Sequence, residues 1–192
     1  MRRLILASAS PRRQAILAAL GFAFETRPAE VEERVRSGES AFDAAERLAR
    51  EKAAFVAGTE PDALVVAADT LVVLDGDALG KPRDRAEAEA MLRRLRGRRH
   101  QVVTGVAVAA DGGCLSGRET TTVVFAPMSD AEVRAYAATG EPDDKAGAYA
   151  VQGIGALFVE RVEGSPSNVV GLPVRLLARL LSEAGLSWPA GR

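Results

Sequence analysis

A carboxylate interrupts an apolar stretch at Asp69: Val65, Val66, Ala67 and Ala68 precede it, and Leu71, Val72 and Val73 follow Thr70. A charge buried there is costly unless it is paired or metal-bound, and general bases and metal ligands are found at such positions. A solvated strand edge is the plainer alternative. Cationic groups stand at element ends elsewhere. In "LASASPRR", Ser8, Ser10, Arg12 and Arg13 lie where an apolar strand hands over to a helix. A helix start offers free N–H groups and the positive end of the dipole. Hydroxyls add donors, and planar guanidinium forks suit phosphate. Arginines in a first turn oppose the macrodipole, a conflict that a bound anion relieves. Lys52 and Lys81, the latter in "GKP", are two of only three lysines, the third being Lys145. Arg12, Arg13, Lys52 and Lys81, with the carboxylates Glu32, Glu33 and Asp69, suit a polyphosphate held jointly by protein and a divalent metal.

Alternating strands and helices must position these groups. Residues 3–7 read as a short buried strand, and 11–20 as a helix opened by Pro11, with Ile16, Leu17 and Leu20 on one face and Gly21 at its end. "FAFETR" (22–27) reads as a second strand. Ser40 caps a helix to about Val56 that carries Leu48, Lys52 and Phe55 at helical spacing. "ALVVAADTLVVLDGDALGKP" is the clearest β signal, with a turn at Asp75-Gly76. A helix over 84–96 ends at Gly97. "HQVVTGVAVAADGG" and "CLSGRETTTVVFA" form a strand pair. "SDAEVRAYAATG" has the capping-box pattern of Ser129 and Glu132. "ALFVERVEG" reads as a late strand, and Gly171-Leu172-Pro173 opens a last helix to about Ala184. This order predicts an α/β architecture: a mixed, twisted sheet flanked by helices, in one domain over 1–192.

The totals exclude several functions. In 192 residues, 25 basic and 26 acidic side chains nearly cancel, and aromatics make up only 5%. Neither nucleic acid nor an anionic membrane is therefore an expected partner. One cysteine, Cys114, rules out an internal disulfide and a multi-cysteine metal cage, and one histidine, His100, rules out paired histidine ligands. His100 reads as a strand-edge residue. With no signal peptide and no run of about 20 apolar residues, the expected location is cytoplasmic. No G-x-x-x-x-G-K-[ST] or G-x-G-x-x-G is present, and "GIGALF" (153–158) lacks the third glycine of the latter.

Six segments taken in order carry more than any one of them. "LASASPRR", "REKA" (50–53), "AADTLVVLDG" followed by "LGKPRD", "HQVVTGVAV" and "DKAGAYAVQGIGALFVERVEGSPSNVVGLP" closely resemble the Maf family of nucleoside triphosphate pyrophosphatases, from about residue 4 to residue 181. The resemblance implies a two-lobed fold around a cleft, similar to the inosine-triphosphate pyrophosphatases. It further implies hydrolysis between the α and β phosphates, dependence on Mg²⁺ or Mn²⁺, and a homodimer. By that resemblance Asp69 is the general base, and Ser8, Arg12 and Arg13 form the phosphate-binding loop. Lys52 and Lys81 fall on the family's lysines, and Glu33, with Asp69, falls on its metal-binding acidic positions. Thr70, Gln152 and the tandem Arg12-Arg13 resemble the branch acting on dTTP and UTP. The Gln152 amide, both donor and acceptor, matches the N3–H and carbonyl edge that thymine and uracil share. The alternatives are a house-cleaning enzyme for 7-methyl-GTP or inosine nucleotides, and a non-catalytic, nucleotide-binding regulator of cell division. Asp143, Asp144 and Lys145 are expected on a wall of the cleft, and Trp188 in tail packing.

Overall fold

The computed structural model describes residues 2–188; residues 1 and 189–192 of the expected domain lie outside the described residues. The elements are β1 (Arg3–Leu6), α1 (Pro11–Ala19), β2 (Glu25–Thr26), α2 (Ala41–Ala57), β3 (Ala63–Leu74), β4 (Asp77–Leu79), α3 (Arg85–Leu95), β5 (Arg99–Ala110), β6 (Gly113–Phe125), α4 (Asp130–Ala137), β7 (Val159–Glu163), α5 (Pro166–Val170) and α6 (Val174–Glu183). Seven strands form one mixed sheet in the order β2-β1-β3-β5-β6-β7, with β4 paired to β3. The β2-β1-β3 pairs are parallel and the rest antiparallel.

Local chemistry sets several boundaries. Ser40 Oγ accepts the Asp43 N–H at the start of α2, and Ser129 with Glu132 closes a complete capping box on α4. Asp75 and Gly76 both take positive φ (54° and 89°), as a two-residue hairpin turn requires. Among the described residues no helix is long and apolar enough to cross a membrane.

The central strand β3 explains how one sheet supports two lobes. Side chains alternate between faces along a strand. Leu64, Val66 and Ala68 join α1 and α6 in one apolar cluster, whereas Val72 and Leu74, further along the same face, join α3 and α4 in another. On the opposite face Ala63, Val65 and Ala67 pack beneath the C-terminal half of α2, and Leu71 and Val73 beneath its start. Asp69 and Thr70 stand at the break between clusters, one on each face. The two lobes thus share a sheet, and their separation falls on the strand's only polar residues.

The structure corrects six expectations. Of "FAFETR" only Glu25–Thr26 pairs as a strand, because Phe22 and Phe24 turn into the α1/α6 cluster. "ALFVERVEG" is a 3₁₀ turn over Ile154–Phe158 before β7 begins at Val159; the Ile154 and Gly155 N–H groups bond a side-chain carboxylate instead of a strand. Helix α5 was not expected; Ser165 caps it and Pro166 takes its first position. Phe55 shares a helix face with Leu48 and Lys52 as its spacing predicts, but near the C-terminal end of α2 it is 49% exposed rather than buried with them. His100 is no edge residue: it is buried, bonded through Nε2 to Tyr149 Oη at 2.7 Å and edge-on to Phe125. Trp188 is tied to the end of α1 by its indole N–H, which donates to Leu20 O at 2.8 Å, but the side chain stays 63% exposed instead of packing.

Candidate active site

Helix α2 lies unusually close to the sheet. Gly105 pairs with Asp69 across β5 and β3, and a Cβ on Gly105 would sit 2.2 Å from Ala45 O. The missing side chain lets the α2 backbone rest on β5. Lys52, about two turns beyond Ala45 on the same helix face, then reaches β3. Its Nζ is 2.6 Å from Asp69 Oδ1 and 2.5 Å from Glu33 Oε1. Lys52 and Asp69 are both buried, and Glu33 is half-exposed. A second lysine, Lys81, comes from the turn after β4 and stands 3.5 Å from Glu33 Oε2. Burial works to raise the Glu33 carboxyl, but Lys52, then Lys81 and Arg13, outweigh it and hold it below the usual carboxylate range.

Arg13 organises the other side. Its Nε donates to Gly171 O at 2.8 Å, Nη1 to Ser8 Oγ at 3.3 Å and Nη2 to Thr70 Oγ1 at 3.1 Å. Burial lowers its pKa from the ordinary arginine value, against the opposing fields of Asp69 and Glu33; a guanidinium in that range stays charged. Thr70 Oγ1 is 2.9 Å from Thr104 Oγ1, its partner on β5, and the Thr104 hydroxyl donates to Asn168 O at 2.9 Å. Ser8, buried, also accepts the Ser10 N–H at 3.2 Å. Arg12 reaches across to Asp144 Oδ2 at 3.1 Å, an ion pair that ties the start of α1 to the opposite lobe.

One cleft of about 750 Å³ gathers these groups. Its lining includes Ser8, Arg12, Arg13, Glu33, Lys52, Asp69, Thr70, Lys81 and Gln152, together with Asp144 and Lys145 of the wall. Of the residues singled out from the sequence for phosphate, metal, base selection or proton transfer, all but Glu32 therefore line a single cavity. Glu32 is exposed and pairs with Arg34 at 3.3 Å. Asp143 is likewise absent from the lining. Sequence reading missed Thr104 and Asn168, the fully buried groups behind Thr70 and Arg13. Threonines opposite one another on paired strands were the available signal.

Glu33 and Asp69 are brought together on one ammonium. Among the described residues no group of three or more His, Cys, Asp or Glu side chains could cage a metal alone. Two carboxylates beside a polyphosphate-sized cleft nevertheless suit a hard divalent ion that takes its other ligands from substrate and water.

A family model described as "Maf-like protein" matches residues 3–184. The chain is 54% identical over 191 residues to the "dTTP/UTP pyrophosphatase" of Anaeromyxobacter dehalogenans, covering 97% of this chain and 96% of that one. It is 50% identical over 188 residues to the protein of the same name from Hahella chejuensis, covering 96% and 94%. The solved Staphylococcus aureus Ham1 protein is 18% identical, with a TM-score of 0.46 over 65% of this chain and 72% of that one, a likeness too weak to carry an argument.

Proposed function

We propose, from the premise that this chain belongs to the Maf family, that it hydrolyses dTTP and UTP to the monophosphate and pyrophosphate. The observation that carries this reading is the convergence of four cations, two carboxylates, Thr70 and Gln152 on one cleft. Arg12, Arg13, Lys52 and Lys81 neutralise the triphosphate and the charge that gathers on the leaving pyrophosphate. Asp69, engaged with Lys52 through Oδ1, takes a proton at its other oxygen from the attacking water. The water oxygen forms a bond to the α phosphorus as the bridge to the β phosphate breaks, and pyrophosphate departs with the bridging oxygen. Mg²⁺ or Mn²⁺, held through Glu33 and Asp69, supplies further charge neutralisation on the phosphate oxygens when bound. Gln152 reads the N3–H and carbonyl edge of the pyrimidine. The cytoplasm and a homodimer belong to the same reading.

The test is pyrophosphate release from dTTP, UTP, CTP, GTP, ITP and 7-methyl-GTP, with Mg²⁺ and with Mn²⁺, alongside Asp69→Asn. Turnover of dTTP and UTP above the others, lost in the variant, supports the reading. Preference for ITP or 7-methyl-GTP overturns the base assignment and keeps the chemistry. A chain inert toward all six is no pyrophosphatase, and a regulatory, nucleotide-binding role takes its place.

A further inference from the structure

The glycines of "GIGALF" serve a purpose unrelated to phosphate. Gly153 takes φ +81°, and a Cβ there would lie 2.4 Å from Glu141 Oε2; a Cβ on Gly155 would lie 2.4 Å from Tyr136 Oη. Without side chains, these positions let the backbone close onto two groups of α4 and its following turn. The Ile154 N–H donates to Glu141 Oε2 and the Gly155 N–H to Oε1, each at 2.9 Å. The Tyr136 hydroxyl donates to Glu141 Oε1 at 2.8 Å and accepts the Ala150 N–H at 3.2 Å. Lys145 Nζ donates to Glu141 O at 2.6 Å. The chain is thus pinned two residues before Gln152 and two residues after it. Tyr149, Ala150, Val151 and Gln152 line the cleft, whereas Glu141 and Tyr136 stand behind them, outside its lining.

We infer that Glu141 and Tyr136 are positioning residues for base selection: together they clamp the 150–155 loop so that the Gln152 amide meets the base at a fixed height. The inference rests on the pyrophosphatase reading for its substrate and on geometry for the clamp. Charge supports it. Burial works to raise the Glu141 carboxyl, but the Gly155 and Ile154 N–H donors, then Tyr136 and Lys145, bring it below the usual range, so it accepts as a carboxylate. Bonds to an ionised acceptor are stronger and more directional than neutral ones. Two of them, from Ile154 and Gly155, together with the Ala150 bond to Tyr136, keep the Gln152 backbone in place before substrate arrives, which lowers the ordering cost of binding.

The variants are Glu141→Gln, which puts an NH₂ where an N–H needs an acceptor, and the milder Tyr136→Phe. For Glu141→Gln, KM for dTTP should rise about tenfold with kcat within about threefold of wild type, the signature of lost positioning in binding. The ratio of kcat/KM for dTTP to that for GTP should fall about tenfold, toward the value of Gln152→Ala, with Tyr136→Phe falling in the same direction by less. In the double variant Glu141→Gln/Gln152→Ala the second change should add no more than about twofold, since both act through one side chain. A lowered melting temperature with an unchanged dTTP-to-GTP ratio makes the clamp a fold element only and overturns the inference. If the wild-type chain releases no pyrophosphate, the activity reading fails separately. Calorimetric Kd values for dTTP and GTP then decide the inference by the same ratios, and a wild-type chain that does not discriminate between the two overturns it.

Discussion

Lys52 Nζ and Asp69 Oδ1 meet at 2.6 Å with both side chains buried, one on α2 and the other on the strand beneath it. Such a pair adds little net stability, because desolvation consumes most of the Coulombic gain. What it secures is location. Asp69 needs a cation to remain in an apolar sheet, Lys52 needs a carboxylate to remain under a helix, and Glu33 is drawn onto the same ammonium. The pair therefore fixes where the Asp69 carboxylate stands in the cleft.

Removing one partner should be far worse than removing both. Lys52→Met leaves a buried charge without its counter-ion, and urea unfolding should show a loss of about 3–5 kcal/mol. The double variant Lys52→Met/Asp69→Asn should recover a large part of that stability while staying inactive. Pyrophosphate release by Lys52→Met alone should fall about 10²–10³-fold, as for loss of a preorganised charge stabiliser. A single variant as stable as wild type would mean that solvent, rather than Lys52, satisfies Asp69.

Gly105 is the joint that lets this happen. In Gly105→Ala the new methyl meets the Ala45 carbonyl at 2.2 Å, so α2 must lift from β5. Overpacking of this kind costs about 1–3 kcal/mol, read as a lowered urea midpoint. Because Lys52 lifts with the helix, kcat should fall too. Gly113→Ala is the control: its Cβ meets only Ala110 O at an ordinary 3.5 Å, so both midpoint and kcat should stay near wild type. Equal effects in the two variants would show that the close helix approach is unimportant.

Thr104 carries Arg13 at one remove. Thr104→Val keeps the shape, leaves the buried Asn168 carbonyl without its donor, and releases Thr70 to turn away from Arg13. The stability cost should be about 1–3 kcal/mol. KM for the triphosphate should rise with the guanidinium out of register, and Thr104→Ser should restore both. Should Thr104→Val lose stability with KM unchanged, the chain of hydroxyls holds the fold and leaves Arg13 where it was.

The site was more legible than the elements around it, and for a physical reason. A charge inside an apolar strand, arginines at a helix start and rare lysines all oppose their local surroundings, so Asp69, Arg12, Arg13, Lys52 and Lys81 stand out one by one; all five line the cleft. Groups that agree with their surroundings stay hidden. Thr104 reads as an ordinary strand threonine, and only the register that sets it opposite Thr70 gives it meaning. Glu141 reads as a turn residue, because its partners Ile154 and Gly155 come 13 and 14 positions later, beyond any local period. That long-range carboxylate also overturned the strand reading of 156–158. His100 looked polar enough for an edge; its phenol partner and the aromatic ring beside it came from distant segments.

His100 gives a pH dependence with a definite sign. Burial alone pushes its pKa down to about 4 from 6.5, and its Nδ1 has no hydrogen-bond partner. The native ring is therefore neutral at pH 7, while the unfolded ring takes up a proton as pH falls past its ordinary value. Between about pH 6.5 and 4 the unfolded state binds more protons, so native stability drops across that window, and below it the ring contributes no further change. The full effect amounts to about 3 kcal/mol for a shift of this size. As His100 is the only histidine in the sequence, comparison with His100→Gln isolates it: carboxylates common to both proteins cancel in the difference. Wild type should lead the variant by more at pH 7 than at pH 4.5, with the gap closing between them in urea unfolding. A gap that is constant with pH would mean that the ring does not titrate on unfolding, and its burial would then have no bearing on acid stability.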